Sequence, residues 1–544
     1  MLRKIRTALA IVLFIGTTLL FLDFTGGIHR YAGWMAKIQF LPAALALNVI
    51  VVAVLLLLTL LLGRIYCSVI CPLGIFQDIV ARIGRRGKKR PYSYSKELKW
   101  LRYPILAVFI IALIAGVGSL VALLAPYSSW GRIASNLLQP VYIWGSNLLA
   151  GIESNYDSYV FASSDVWIRS LPTFIIAVVS AIVIGILAWR NGRTYCNSVC
   201  PVGTFLSFFA RFSLFRIMFD TDKCKKCSKC STHCKAACID YKNMTVDHSR
   251  CVVCGNCLGQ CDFNALHYTL ALGKKTPKAT DAPASTNDRR SHTSGTKDTP
   301  ITGVQGGQDK IQDVQGKTQG NVQDKPQGTE GKQGIDEGRR AFLVGAATMV
   351  SATALAQAKK EVEGGLATLA KKESPKRQTP ITPPGSISAS NMAHHCTGCQ
   401  LCVSACPNQV LRPSSGLFTM MQPVMGYDHG FCRPECTRCS QVCPAGAIHP
   451  INREEKSSIQ IGHAVWVKDN CLPVSEGVSC GNCSRHCPTG AIQLVPYERG
   501  EDDEVDVPAV NTAMCIGCGA CEYVCPSRPF AAIYVEGHEA HRTI

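Results

Sequence analysis

The residues whose spacing could do chemistry are cysteines. Cys224, Cys227, Cys230 and Cys234 stand in CKKCSKCSTHC, and sixteen residues later Cys251, Cys254, Cys257 and Cys261 stand in CVVCGNCLGQC. In such runs three close thiolates grip one iron–sulfur cube while the fourth reaches across to a neighbouring cube, so two runs form one folding unit. The spacing assigns Cys224, Cys227, Cys230 and Cys261 to one cluster and Cys251, Cys254, Cys257 and Cys234 to the other. Zinc sites and disulfide frameworks compete for the same cysteines, but zinc favours paired CxxC units or histidine ligands.

The same chemistry recurs four times near the C-terminus. Cys396, Cys399, Cys402 and Cys406 repeat the regular spacing, as do Cys515, Cys518, Cys521 and Cys525. Cys432, Cys436, Cys439 and Cys443 are one residue looser at the start, and Cys471, Cys480, Cys483 and Cys487 have a long first gap. Six complete ligand sets imply six [4Fe-4S] clusters. Which of the four C-terminal motifs exchange fourth ligands is left open by spacing. Of 29 cysteines only Cys238 falls outside any regular pattern. Small cluster-filled domains have little apolar core of their own, so loading and folding should be coupled.

The elements that must carry these sites begin with apolar runs at about 7–22, 41–63, 103–125 and 171–189, each near the roughly 20 residues a membrane helix needs. Stretches such as VIVVAVLLLLTLLLG show no polar face for water. The loop from Arg64 to Arg102 has ten Lys or Arg against two acids, whereas the loop 126–170 has Arg132 and Arg169 against three acids. By the positive-inside rule the N-terminus, the Arg64–Arg102 loop and the two-run cysteine module face the cytoplasm. The formal charge of +18 has the same cause, which removes the need for a nucleic-acid partner.

An internal repeat underlies these spans. Shifted by 129 residues, GRIYCSVICPLGIF at 63–76 falls on GRTYCNSVCPVGTF at 192–205. Two related hairpins would bring Cys67, Cys71, Cys196 and Cys200 around one point at the repeat interface. These thiols form a candidate redox or metal site, as a further iron–sulfur centre or as two dithiols; structural thiols at a helix end are the plainer reading. Pro72 and Pro201 mark either a helix start or a kink.

From 272 to 338 the chain is rich in Gly, Gln, Lys, Thr and Asp, without aromatic residues or cysteine, and reads as a disordered tether. Arg339 and Arg340 then open an Ala-rich run over 339–358 ending in a small-residue motif. It reads as a twin-arginine export signal, against a weak fifth span or an amphipathic cytoplasmic segment. The expected fold is multi-domain. It comprises a four-span α-helical membrane domain (1–215), a small α+β two-cluster ferredoxin-like domain (216–271), the tether, the signal-like segment and a four-cluster domain (390–544).

GRxYCxxxCP repeated after paired spans and followed by a two-cluster module resembles membrane polyferredoxins of the NapH and MauN type. The four-cluster half after a twin-arginine signal resembles the NapG and MauM type, so the chain looks like a fusion of two partners. The resemblance implies electron transfer from membrane quinol to an extracytoplasmic reductase, with no substrate chemistry of its own. It also implies a bacterial cytoplasmic-membrane location with the C-terminal domain periplasmic, and redox proteins as partners. A metal-handling or maturation factor using the CxxxCP thiols, and a cluster-bearing scaffold, are the competing functions.

Overall fold

The computed structural model describes residues 2–23, 25–87, 91–153, 166–271, 362–363, 367–368, 370–498 and 504–544. The expected tether at 272–338 and the signal-like segment at 339–358 lie outside the described residues.

The N-terminal part is a bundle of helices. Among the described residues, two helices are long and apolar enough to cross a membrane, Arg3–Leu22 and Leu171–Asn191. The expected spans at 41–63 and 103–125 are each interrupted, which corrects their reading as continuous helices. The first breaks between helices Phe40–Leu45 and Val49–Leu62, where Leu47 adopts a φ of 52° and the Asn48 side chain accepts from Val51 N at 3.2 Å. That side-chain bond satisfies one of the free N–H groups of a helix start and so favours a new helix over continuation. The second breaks between Lys99–Ile114 and Gly118–Leu124, where Gly116 has a φ of 70°, a conformation open mainly to glycine.

Helix Leu171–Asn191 packs along helix Pro72–Gly87. A Cβ at Gly84 would lie 2.8 Å from the Trp189 ring, so glycine permits the close approach. Pro72 and Pro201 each begin a helix, and neither kinks one. Proline suits that position because its missing N–H would find no intrahelical acceptor there.

At one end of the bundle sits the two-run cysteine module, framed by strand Phe215–Phe219 antiparallel to Leu266–Leu270. It is tied to the bundle by Leu214 N donating to Leu60 O at 2.8 Å and by Tyr268 Oη donating to Leu62 O at 3.0 Å. Among its described residues the C-terminal domain contains three antiparallel pairs: Leu411–Pro413 with Pro423–Met425, Ile459–Trp466 with Ile533–Thr543, and Ile492–Glu498 with Glu504–Val510. It sits at the opposite end of the bundle. Helix Leu2–Leu22 shows this directly: Arg3 abuts Gly255 of the module, while just past the helix Thr25 O accepts from Arg438 Nη2 at 3.0 Å. Its 21 residues extend about 31 Å between the two contacts.

Candidate functional site

Each cysteine run begins as a loop that delivers its first three thiols around a point and ends by sending the fourth elsewhere. Cys224, Cys227 and Cys230 line one hollow with Cys261. Cys254 and Cys257 lie within electrostatic reach of Cys234, as Cys257 does of Cys251. In the C-terminal domain Cys396, Cys399 and Cys402 share a hollow with Cys443. Cys439 faces Cys432, Cys406 and Cys436. Cys471, Cys480 and Cys483 share a third hollow with Cys525. Cys518 faces Cys515 and Cys487, with Cys521 close to Cys515 and Cys518. The motif at Cys396 therefore exchanges its fourth cysteine with that at Cys432, and the motif at Cys471 with that at Cys515. Spacing alone left this exchange open. The two pairs adjoin where Cys432 N donates to Cys518 O at 2.9 Å.

These donor sets fit iron–sulfur cubes. All of the cysteines are free thiols, which removes the disulfide reading. Among the described residues no three His, Cys, Asp or Glu side chains close tightly enough on one point to hold a single metal ion. A cube spreads its four thiolates over four iron atoms, and each set described above supplies four cysteines. Backbone donors also aim at sulfur: Ala265 N at Cys261 (3.2 Å), Gly398 N at Cys396 (3.4 Å) and Ala532 N at Cys525 (3.3 Å). Such bonds stabilise thiolate character and tune a cluster's potential. Burial pushes the Cys230, Cys399 and Cys483 thiols up to about 11 each. Without iron they are neutral, so cluster loading must displace their protons. Bound there, a [4Fe-4S] cluster supplies reversible one-electron storage.

Cys238 is fully buried, with its Sγ 3.5 Å from that of Cys234 and Cys251 also within reach. It stands as a neighbour of two expected ligands.

The repeat brings Cys67, Cys71, Cys196 and Cys200 together in the interior, each 4 % exposed. Cys200 faces Cys196, Cys71 and Cys67, and Cys71 faces Cys196 and Cys67. Three donors reach these sulfurs: Gln77 Nε2 to Cys196 at 3.3 Å, Gly203 N to Cys200 at 3.3 Å and Arg64 Nη2 to Cys67 at 3.7 Å. Gly74 and Gly203 leave room for this packing, since a Cβ would lie 2.2 Å from Cys67 O and 2.5 Å from Cys196 O respectively.

Around the four thiols lies a buried charge network that a count of net charge could not reveal. Asp78 bonds Arg193 at 2.7 Å, Arg6 at 3.5 Å and Lys235. Burial opposes ionisation of Asp78, but Arg193 and Lys235 outweigh it and hold the carboxyl well below the usual carboxylate range. Arg102 pairs with Glu97 at 2.8 Å. Arg64, Arg102, Arg132 and Arg193 are all fully buried. Arg64 and Arg193 occupy the same place in GRxYC, and that recurrence was the available signal for their role.

The C-terminal domain docks its Cys396 motif on the bundle. Gln400 Oε1 accepts from Ser135 Oγ at 3.0 Å and Asn136 Nδ2 at 2.8 Å, Ser404 O accepts from Gln139 Nε2 at 3.1 Å, and Val403 O accepts from Arg169 Nη1 at 3.0 Å. Tyr127 is buried within electrostatic reach of Cys399, Cys443 and Tyr66, and Tyr66 is in turn within reach of Cys71, Cys67 and Cys200. Tyr127 thus neighbours the docked cysteine set, and Tyr66 neighbours the interior four-thiol site.

Comparison with known proteins agrees with this layout. A family model described as a 4Fe-4S binding domain matches residues 45–91 and 171–218, the stretches that carry the two CxxxCP pairs. A second, described as a 4Fe-4S dicluster domain, matches 395–457 and 478–528. The chain is 31% identical to the ferredoxin-type protein NapF of Escherichia coli over 159 residues, 29% of this chain and 87% of NapF. It is 33% identical over 155 residues to the ferredoxin-type protein NapG of E. coli, 27% of this chain and 65% of NapG. The methylamine utilization ferredoxin-type protein MauM of Methylobacillus flagellatus is 31% identical over 158 residues, 27% of this chain and 64% of MauM. No solved structure matches.

Proposed function

Because the chain belongs to the family of ferredoxin-type proteins that includes NapF, an iron–sulfur electron-transfer family, we propose that it is the membrane-bound form of such a carrier. In this reading it takes electrons from membrane quinol and passes them through six [4Fe-4S] clusters to an extracytoplasmic reductase. The observation that carries the reading is the placement of complete cysteine sets at both ends of one helical bundle, tied by a helix of 21 residues. The outside of that bundle supports a lipid surrounding: Val12, Ile50, Leu57, Ile111, Ile114 and Ile175 are all at least half exposed. Water-exposed surfaces rarely gather so many large apolar side chains. The 24 cysteines of the six motifs hold the clusters, and Cys67, Cys71, Cys196 and Cys200 are needed for electron entry from quinol. The first module faces the cytoplasm and the C-terminal domain the periplasm.

Membranes prepared without oxygen test this directly. Added quinol should reduce the clusters stepwise in electron paramagnetic resonance spectra; clusters that dithionite reduces but quinol leaves untouched would sink the quinol step. Reporter fusions after residue 271 and after residue 395 should give cytoplasmic and extracytoplasmic signals respectively, and matching signals would sink the topology.

A further inference from the structure

We propose that the groove between helix Leu2–Leu22, helix Pro72–Gly87 and the two-run cysteine module binds one anionic phospholipid, its phosphate among the cations beside the module and its acyl chains along the two helices. The proposal rests on the membrane-bound reading given above. A cavity of about 680 Å³ lies there, ample for a large ligand. Its wall changes character along its length. Arg3, Arg6, Arg82, Arg85 and Lys235 line it together with Asp78, and Arg3 abuts Gly255 of the module. Farther along the first helix come Ile11, Phe14 and Ile15, joined by Ile75 and Ile79 of the second. Phe14 packs on Trp130 at 4.9 Å, next to Gly131, which abuts Cys399 of the C-terminal domain. From Arg3 to Ile15 the helix rises about 18 Å, so one end of the groove is cationic and the rest apolar.

Charge says what sits at the cationic end. Asp78 is already shared among Arg193, Arg6 and Lys235. Arg3, Arg82 and Arg85 have no ion pair among the described residues. Arg6 is buried, yet its Nε has no hydrogen-bond partner. A buried donor on a charged group is costly to leave unmet, so the wall is short of negative charge and of acceptors. A phosphate supplies both, since its oxygens take several guanidinium donors at once. The cations come from both helices and from the module, so one phosphate would tie all three together. Arg85 is held at this rim over the Tyr92 ring at 5.6 Å, and Tyr92 N donates to Thr232 O of the module at 3.2 Å.

The apolar wall says that the anion carries chains. Ile11, Ile15 and Ile83 line the groove and are half exposed, so it opens sideways, where acyl chains can pass into a bilayer. A free phosphate ester would leave that wall uncovered. A neutral amphiphile such as a quinol would cover it but leave the cations unpaired. Basic pockets between membrane helices at a cytoplasmic face suit anionic headgroups for both reasons. The positive-inside rule alone accounts for exposed arginines such as Arg3 and Arg82, but not for a buried Arg6 whose Nε faces no acceptor.

The test uses the full chain, extracted without oxygen in a neutral detergent and stripped of lipid. Its unfolding midpoint is followed against added dioleoyl phosphatidylglycerol, dioleoyl phosphatidylcholine, glycerol phosphate and decylubiquinone, since a ligand that binds only the folded chain raises the midpoint with concentration. Phosphatidylglycerol should bind about tenfold more tightly than each of the others. Phosphatidylcholine or decylubiquinone binding as tightly overturns the proposal by removing charge recognition, and glycerol phosphate binding as tightly overturns it by making the groove a site for free anions. The triple variant Arg3→Gln/Arg82→Gln/Arg85→Gln should weaken phosphatidylglycerol about tenfold while keeping its iron, and unchanged affinity overturns the proposal. If that variant loses iron through misfolding, Arg82→Gln alone, at an exposed position, decides: it should weaken binding about threefold, and no change there overturns the proposal. A chain recovered without detergent fails the membrane-bound reading itself, whereas a detergent-extracted chain indifferent to headgroup charge fails this proposal only.

Discussion

Arg64 donates to the carbonyl oxygen of Cys196 at 3.2 Å, and Arg193, which stands 129 residues further on, donates to the carbonyl oxygen of Cys67. The two halves of the repeat therefore clasp one another reciprocally, each arginine holding the opposite cysteine loop. Guanidinium groups suit this task because several fixed donors can serve carbonyl, amide and sulfur acceptors at once. The clasp explains why GR and the glycine after CP recur at the same offsets in both copies.

Enlarging those glycines should loosen the clasp. A Cβ at Gly203 would lie 2.5 Å from Cys196 O and 2.6 Å from Arg64 Nη2, and one at Gly74 would lie 2.2 Å from Cys67 O. Gly74→Ala and Gly203→Ala should each destabilise the bundle by about 1–3 kcal/mol, the usual range for overpacking. Gly145→Ala, where nothing lies within 4 Å, should be neutral or stabilising by up to about 1 kcal/mol. Denaturant unfolding in detergent compares the three, and equal effects at all positions would contradict the clasp.

The exchange of fourth ligands can be read from iron counts. Cys396→Ser and Cys443→Ser should each cost one cluster, about four iron atoms, and the double variant should cost no more than either alone. Cys432→Ser combined with Cys443→Ser should cost about twice as much. The reverse pattern would mean that each motif keeps its own fourth cysteine.

Cys238 should prove dispensable for loading. Its thiol is placed to donate toward Cys234 or Cys251, so Cys238→Ser should retain every cluster. Cys238→Ala removes the donor and should make the adjacent cluster harder to reduce, because hydrogen bonds to sulfur stabilise its more negative, reduced state. A redox titration followed by electron paramagnetic resonance checks both. Loss of a cluster in the serine variant would make Cys238 a ligand in place of Cys234.

Acid should weaken the C-terminal domain through His541. Burial, with His538 adding to it, pushes the His541 imidazole down from 6.5 to about 4, and its Nε2 shares a hydrogen bond of 2.9 Å with Thr382 Oγ1. Between those values the unfolded chain binds the proton and the folded chain does not. Stability is therefore complete above about pH 6.5 and falls as pH drops toward 4, by up to roughly 1.4 kcal/mol per unit. His541→Gln should flatten this part of the profile. Denaturant midpoints at pH 7 and pH 5, compared between wild type and variant, separate this contribution from acid loss of the clusters.

Much of the candidate site was legible in the sequence because close cysteine spacing acts locally. Three cysteines within seven residues, as in Cys396–Cys402, must meet whatever surrounds them, and the apolar all-round run at Val49–Leu62 must avoid water. The repeat was legible too, since GRxYCxxxCP returns at a constant offset. Tertiary structure decided what depends on distant segments. Only packing pairs Cys443 with Cys396, as either neighbouring motif offers an equivalent fourth thiol. Only packing buries Arg64 beside Cys67 and Cys196, since an arginine in a basic loop otherwise reads as a solvated charge. The breaks at Leu47–Asn48 and Gly116 turn on single backbone conformations that hydropathy does not register. The docking of Gln400, Val403 and Ser404 on the bundle joins residues more than 230 positions apart, where no spacing rule reaches.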